Sequence, residues 1–185
     1  MAVVGRTFAG APVRRKAKAL CIRGPMLKLH YYDANCLIKL VIAEAGSDEL
    51  RAHFYSTGIV SFTTSFCFYE ALGVLKAKWI GKSRPDQITQ EQYLAACEEL
   101  CALVDDQNLQ IEEQHFYDRE AFSESERIVQ TYGLDLSDAF QLVTLRSGMI
   151  ARLAITITPE LISEDKDLRN AAKSEGLSVL SISML

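Results

Sequence analysis

From Met26 onward, short apolar runs alternate with amphipathic ones, the pattern of an α/β domain built around a mostly parallel sheet. LKLHYYDA (27–34) predicts a first strand. It passes directly into NCLIKLVIAEAG (35–46), where Leu37, Leu40 and Val41 recur at helical spacing and Gly46 supplies a stop. SDELRAHFYS follows as a second helix with Ser47 as the N-cap, then GIVSFTTS as a strand and SFCFYEALGVLKAKWIGK as a third helix. In ITQEQYLAACEELCALVDDQN the residues Tyr93, Leu94, Cys97, Leu100, Cys101 and Val104 share one helical face, and Thr89 is placed to cap it.

The second half continues the alternation. LQIEE is strand-like, DREAFSESERIVQTYG is a helix stopped by Gly133, and LSDAFQLVTLRSGMI is a further helix with Ser137 near its start. RLAITITPELIS predicts one or two strands interrupted by Pro159. A helix from about Asp165 to Lys173, closed by Gly176, and a last strand in LSVLSI complete the pattern. No internal repeat is present, and GKSRPDQ is too short a linker to separate two domains.

Composition narrows the class. With 185 residues, 49% hydrophobic and 24% charged, the chain can bury a core, and 10 Gly with 4 Pro exclude a collagen-like or low-complexity fibre. No run approaches the roughly 18 uninterrupted apolar residues of a membrane-spanning helix. The five cysteines are odd in number and lack a CxxC pair or a secretory pattern, which predicts a reduced, cytoplasmic chain. Cys97 and Cys101 stand four apart without a third ligand, so core packing is the reading for both.

Charge is unevenly spread. Residues 1–25 hold Arg6, Arg14, Arg15, Lys16, Lys18 and Arg23 and no acid, a charge of +6, which leaves −10 for the remainder of a chain whose net charge is −4. This basic arm has three readings: a nucleic-acid-binding arm, a targeting segment, or residues added by an upstream start. The third is favoured, with Met26 as the beginning of the domain, because the pattern from Met26 is already that of a whole α/β domain.

Ligands of an open α/β sheet bind outside the carboxyl ends of its strands, so acids at those ends are treated apart from surface acids. Asp33 ends the first strand, Asp138 opens an apolar helix, Asp165 stands where a strand gives way to a helix, and Glu70 lies on an apolar helix face. Taken singly, Asp33, Asp138 and Asp165 read as helix caps and Glu70 as a solvated charge. Four acids recurring at such positions are not explained that way. Carboxylates gathered in one crevice repel, and a hard cation such as Mg²⁺ or Mn²⁺ relieves that repulsion. Such an ion activates water and neutralises a phosphoryl oxygen, which points to phosphodiester hydrolysis.

The segments HYYDANCLIKLVIAEAGSDEL, SFCFYEALGVL, GLDLSDAFQL and LISEDKDLRNAAKSEGL together resemble the PIN domain, most closely its VapC-type toxin ribonuclease branch, over nearly all of Met26 to Leu185. The resemblance implies a single three-layer α/β domain, with a central mostly parallel sheet flanked by helices, over residues 26–185. It matches Asp33 to the first-strand acid, Glu70 to the acid of the helix after the second strand, Asp138 to the acid of the "DA" helix and Asp165 to that of a T-x-D-like segment. Asn35 and Ser163 match supporting positions, Ser163 standing where the family commonly has Thr.

On this reading Asp33 and Asp138 hold the principal metal. Glu70 and Asp165 complete the site through waters or a second ion, with Asp165 counted among the metal ligands. The interval from Asp138 to Asp165 is longer than in a compact VapC-like chain, with extra residues in ARLAITITPE, and Asp135, Glu164 and Asp167 are the neighbouring acids that stand as substitutes.

An acidic body is an unpromising general binder of nucleic acid, so contacts to RNA must be local. Lys39, Lys76, Lys78, Lys82 and Arg84 are the candidate cations, the last four trailing the Glu70 helix beside Trp79, which either stacks on an unpaired base or packs inward. The resemblance further implies a target such as tRNA or ribosomal RNA, a homodimer, and a VapB-like antitoxin whose tail fills the acidic crevice. Phe54, Tyr55, Phe66, Phe68 and Tyr69 are candidate interface residues whose commoner role is core. A non-catalytic PIN-like scaffold that binds RNA or protein is the alternative function.

Overall fold

The computed structural model describes residues 27–81, 85–113, 115, 117–153 and 157–185. The basic arm lies outside the described residues. Five parallel strands form one sheet in the order β3-β2-β1-β4-β5: β1 (Lys28–Tyr32), β2 (Ile59–Thr64), β3 (Leu109–Glu112), β4 (Glu160–Ile162) and β5 (Ser178–Leu180). The α/β class read from the sequence is the one found.

Strand alternation sends successive side chains to opposite faces and creates two cores. Tyr32, Leu109 and Ile162 face a layer made by α1 (Ala34–Val41), α2 (Ser47–Phe54), α3 (Ser65–Ile80) and α4 (Gln90–Asp105). Leu29, Tyr31, Phe62 and Leu161 face the opposite layer, made by α5 (Arg119–Tyr132), α6 (Leu136–Ser147) and α8 (Lys166–Ser174). Because β1 is covered on both sides, it reads as a nearly continuous apolar run.

The chain builds outward from β1 to β2 and β3, then returns to lay β4 on the other side of β1. Strand order therefore reverses between β1 and β4, and a crevice opens beyond their carboxyl ends. Tyr32 pairs with Ile162 at that point, and the Asp33 N–H donates to the Ile162 carbonyl at 3.1 Å.

Three local expectations change. The N-cap of α2 is Gly46, with φ +82°, rather than Ser47, which is the first helical residue. A Cβ at Gly46 would lie 3.1 Å from Ile182 Cγ2, so glycine serves both the left-handed backbone and the close approach. The Ser47 hydroxyl instead ties the α1–α2 turn, donating to the Ile42 carbonyl and accepting from the Glu44 N–H, both at 2.9 Å.

The helix expected over 136–150 breaks at Gly148, and α7 (Met149–Leu153) begins beyond it. The buried Glu112 carboxylate enters there and accepts from the Ile150 N–H at 3.0 Å and from the Tyr31 hydroxyl. Residues 151–153 belong to α7 rather than to a strand, and 154–156 lie outside the described residues. Among the described residues of that stretch the only strand is β4, after Pro159.

Candidate active site

Asp33 follows β1 and caps α1, its φ of −69° and ψ of 159° turning the chain from strand to helix. Its Oδ1 accepts from the Ala34 N–H at 2.6 Å and its Oδ2 from the Ser163 hydroxyl at 2.9 Å. Only 3% exposed, it sits where β1 and β4 end side by side. Ser163, fully buried, serves both strands' acids, since its hydroxyl also accepts the Asp165 N–H at 3.0 Å. Asp165 caps α8 through the Leu168 N–H at 2.8 Å.

The other two acids come from helices facing the crevice. Glu70, half-buried on α3, and Asp135, the N-cap of α6, share one hydroxyl: Ser137 Oγ lies 3.3 Å from Glu70 and 2.8 Å from Asp135. That hydroxyl has one proton, so it serves one carboxylate at a time. Asp138 lies in the first turn of α6, and its own N–H is taken by Asp135 at 3.0 Å.

Electrostatics bind these residues into one group. Burial pushes the Asp138 carboxyl up to about 8, reinforced by the charges of Asp135, Asp33, Glu70 and Asp165. Burial also raises Asp33 to about 6. The Ser163 and Ala34 hydrogen bonds hold it down, while Glu70 and Asp165 push it higher. Glu70 is raised by burial and by Asp135. Glu70 and Asp165 therefore act on both Asp33 and Asp138, and the fourth sequence-predicted acid of this group is Asp165. Its neighbour Glu164 is exposed and accepts the Ile182 N–H at 2.6 Å, and Asp167 is exposed on α8.

As the side chains are placed, no three of His, Cys, Asp or Glu among the described residues converge as a ready-made metal cage. The donor chemistry nevertheless fits a hard cation. All five donors are carboxylates, and none is ion-paired with a Lys or Arg among the described residues.

Other predicted residues are placed as follows. Asn35 is exposed on the first turn of α1, one residue past the crevice wall. Lys76 is exposed on α3. Lys78 is buried and held by Glu44 at 2.7 Å and Asp86 at 2.6 Å, and Trp79 stacks on Tyr93 with centroids 4.9 Å apart. Lys82 and Arg84 lie outside the described residues. Lys39 donates to the Ala45 carbonyl at 2.7 Å and faces Glu44 rather than Asp33. Of the five candidate interface residues, Phe54, Phe66 and Phe68 pack into the cores, the role expected of most of them, whereas Tyr55 and Tyr69 are exposed. Cys101 is likewise exposed, and only Cys97 of that pair packs against the core.

Sequence reasoning missed Arg169, whose guanidinium donates to the Ser163 carbonyl at 2.8 Å and locks the β4–α8 junction. Its position one turn after Asp165 was the available signal. The sequence matches no family model and no curated protein at a significant level.

Proposed function

We propose that the chain is a metal-dependent endoribonuclease of the PIN type, acting as the toxin of a VapC-like toxin–antitoxin pair. The observation that carries this reading is that Glu70 and Asp165 act electrostatically on both Asp33 and Asp138, with Asp33 placed at the strand-order reversal. Five carboxylates without a cationic partner among the described residues are costly in a crevice, and a divalent cation offsets that cost. Bound there, Mg²⁺ or Mn²⁺ would supply an activated water and neutralise charge on the phosphoryl oxygens.

The protein's own contribution is positional. Ser163 and the Ala34 N–H fix both Asp33 oxygens, so this carboxylate presents its remaining lone pairs in one direction. Asp138 and Asp165 are the other proposed ligands. Each sits at a helix start, whose dipole favours negative charge in the first turn. Glu70 is the residue proposed to help orient the attacking water, its carboxyl being raised above the ordinary value by burial and by Asp135. RNA is the proposed substrate, with a small antitoxin, a second copy of the chain and a cytoplasmic setting as proposals of the same family likeness. No helix among the described residues is long and apolar enough to cross a membrane.

The test is cleavage of total RNA by the purified chain in Mn²⁺ or Mg²⁺ against EDTA, beside Asp33→Asn and Asp138→Asn, with metal content measured for each. Discrete metal-dependent cuts lost in both variants are expected. Intact cleavage by Asp33→Asn would sink the assignment, and absence of metal binding would favour the scaffold function.

A further inference from the structure

At the opposite, amino end of the sheet, a notch opens between the end of α2 and the turn into β3. Its volume is about 280 Å³, and Phe54, Tyr55, Ile59, Gln107, Asn108 and Gln110 line it, with no charged side chain in the wall among the described residues. Ile59 and Thr64 mark opposite ends of β2, so the notch is about 17 Å from the acid crevice at about 3.3 Å per residue. It belongs to a different part of the molecule.

The backbone there is incompletely paired. The Lys28 N–H donates to the Gly58 carbonyl at 2.8 Å, and successive residues of a strand turn their backbone groups to opposite edges. Gly58, Val60 and Phe62 therefore address β1, and Ile59, Ser61 and Thr63 address β3. Pairing with β3 begins at Ser61, opposite Leu109, so the N–H and C=O of Ile59 project past the start of that strand. Among the described residues, no backbone group meets them. Beside this donor–acceptor pair stand three exposed amide side chains, Gln107, Asn108 and Gln110.

Tyr55 completes the chemistry. It is 60% exposed, and its ring is held edge-on to Phe54, at 87° with centroids 5.0 Å apart. A flat aromatic face, a backbone donor–acceptor pair and exposed amides suit a planar group with its own alternating donors and acceptors. The uncharged wall offers nothing to a phosphate or a metal ion. The volume falls just under the roughly 300 Å³ at which drug-sized pockets begin, which suits a single ring system and excludes a dinucleotide.

We infer that this notch is a second binding site, taking the hydrogen-bonding edge of a nucleobase while Tyr55 stacks on its face. The base comes either from a free nucleoside or from an unpaired position of an RNA strand. This inference does not depend on the proposed hydrolysis.

The experiment is a titration of the isotope-labelled full chain in EDTA, followed by ¹H–¹⁵N NMR, with adenosine, guanosine, cytidine, uridine, an unstructured RNA hexamer, and ribose 5-phosphate as the sugar-phosphate control. Saturable shifts at the Ile59 and Asn108 amides are expected with a nucleoside or the hexamer and not with ribose 5-phosphate. Affinity should fall about tenfold in Tyr55→Ala and return in Tyr55→Phe, as expected of stacking. Response to the hexamer but to no nucleoside assigns a strand-borne base, whereas response to a nucleoside assigns the free ligand. The inference is overturned by no saturable shift at these amides, by an equal response to ribose 5-phosphate, or by unchanged affinity in Tyr55→Ala.

Discussion

The Ser163 hydroxyl donates to Asp33 Oδ2 at 2.9 Å, joining the carboxyl ends of two neighbouring strands through residues 130 positions apart. The same oxygen accepts the Asp165 N–H, so one hydroxyl sets the positions of two acids. Ser163 is thus a positioning residue whose removal acts through both.

Ser163→Ala should destabilise the chain by about 1–2 kcal/mol, because the buried Asp33 loses a hydrogen bond. It should also raise the Asp33 carboxyl above about 6, since Ser163 is the larger of the two bonds holding it down. Urea unfolding and a pH profile of metal binding check this. Ser163→Thr keeps the hydroxyl and should restore both, and a Thr variant no better than Ala would show that packing rather than the hydrogen bond matters.

Metal-free protein should lose stability as pH rises from about 4 to about 8. Asp138 and Asp33 have folded values near 8 and 6 against an ordinary 3.8, so over this range the folded state binds more protons than the unfolded one. Their contribution is full below about 4 and is lost as each ionises. Asp138→Asn should raise Tm in EDTA at pH 8, by about 2–4 °C for each kcal/mol of relieved repulsion, and should abolish most of the rise that Mg²⁺ gives the wild type. Thermal melts across pH with and without metal decide it.

A second titration runs the other way. His30 is fully buried, its Nε2 3.2 Å from Glu160 and its Nδ1 3.0 Å from His53, with the two rings stacked. Burial, with the His53 and Lys28 charges, lowers His30 to about 4 despite the opposing Glu160, and burial likewise lowers His53. The unfolded state then binds more protons between about 6.5 and 4, so this group loses stability as pH falls through that window. Against the wild type, His30→Gln should show a shallower loss there. An unchanged pH slope in urea unfolding would remove His30 from the account.

Gly148→Ala should cost about 2–4 kcal/mol, a large value for an added methyl, because the new Cβ would meet the Glu112 carboxylate and the Thr144 carbonyl together. Denaturant unfolding measures the loss. Retained stability would mean that α7 can move away from Glu112 at little cost.

Lys76 and Lys78 should separate by phenotype although they are two residues apart. Lys78→Ala removes the buried cation that joins Glu44 to Asp86 and should lower stability by about 2 kcal/mol. Lys76→Ala should leave stability unchanged and reduce the salt dependence of RNA binding by about one charge. Filter binding at several salt concentrations, paired with unfolding curves, distinguishes them.

The strands and helices were legible where side-chain period and caps agreed. Thr89 forms the cap read from the sequence, reinforced by Gln92, and Gly133 ends α5 in the left-handed conformation. The break at Gly148 was not legible, because its cause is Glu112, a residue 36 positions earlier that reaches the helix only through β3. Lys78 failed to read as buried for the same reason. A lysine trailing a helix looks solvated until Glu44 and Asp86 are brought to it. Asp33, Glu70, Asp138 and Asp165 stood out because acids at apolar junctions are costly, a property visible locally.

By itself, the sequence determined the α/β class, most of the element types and the four junction acids, since these rest on periodicity and on short-range preferences of the backbone. Tertiary structure alone decided that strand order reverses between β1 and β4. That reversal sets Ser163 against Asp33 and makes separate helix-start acids into mutually repelling neighbours. It also decided that β2 outruns β3 by two residues, so that Ile59, registered with Lys28 on β1, has no ladder partner on the β3 side. Register and strand order depend on how distant segments pack together, and no local pattern of residues encodes them.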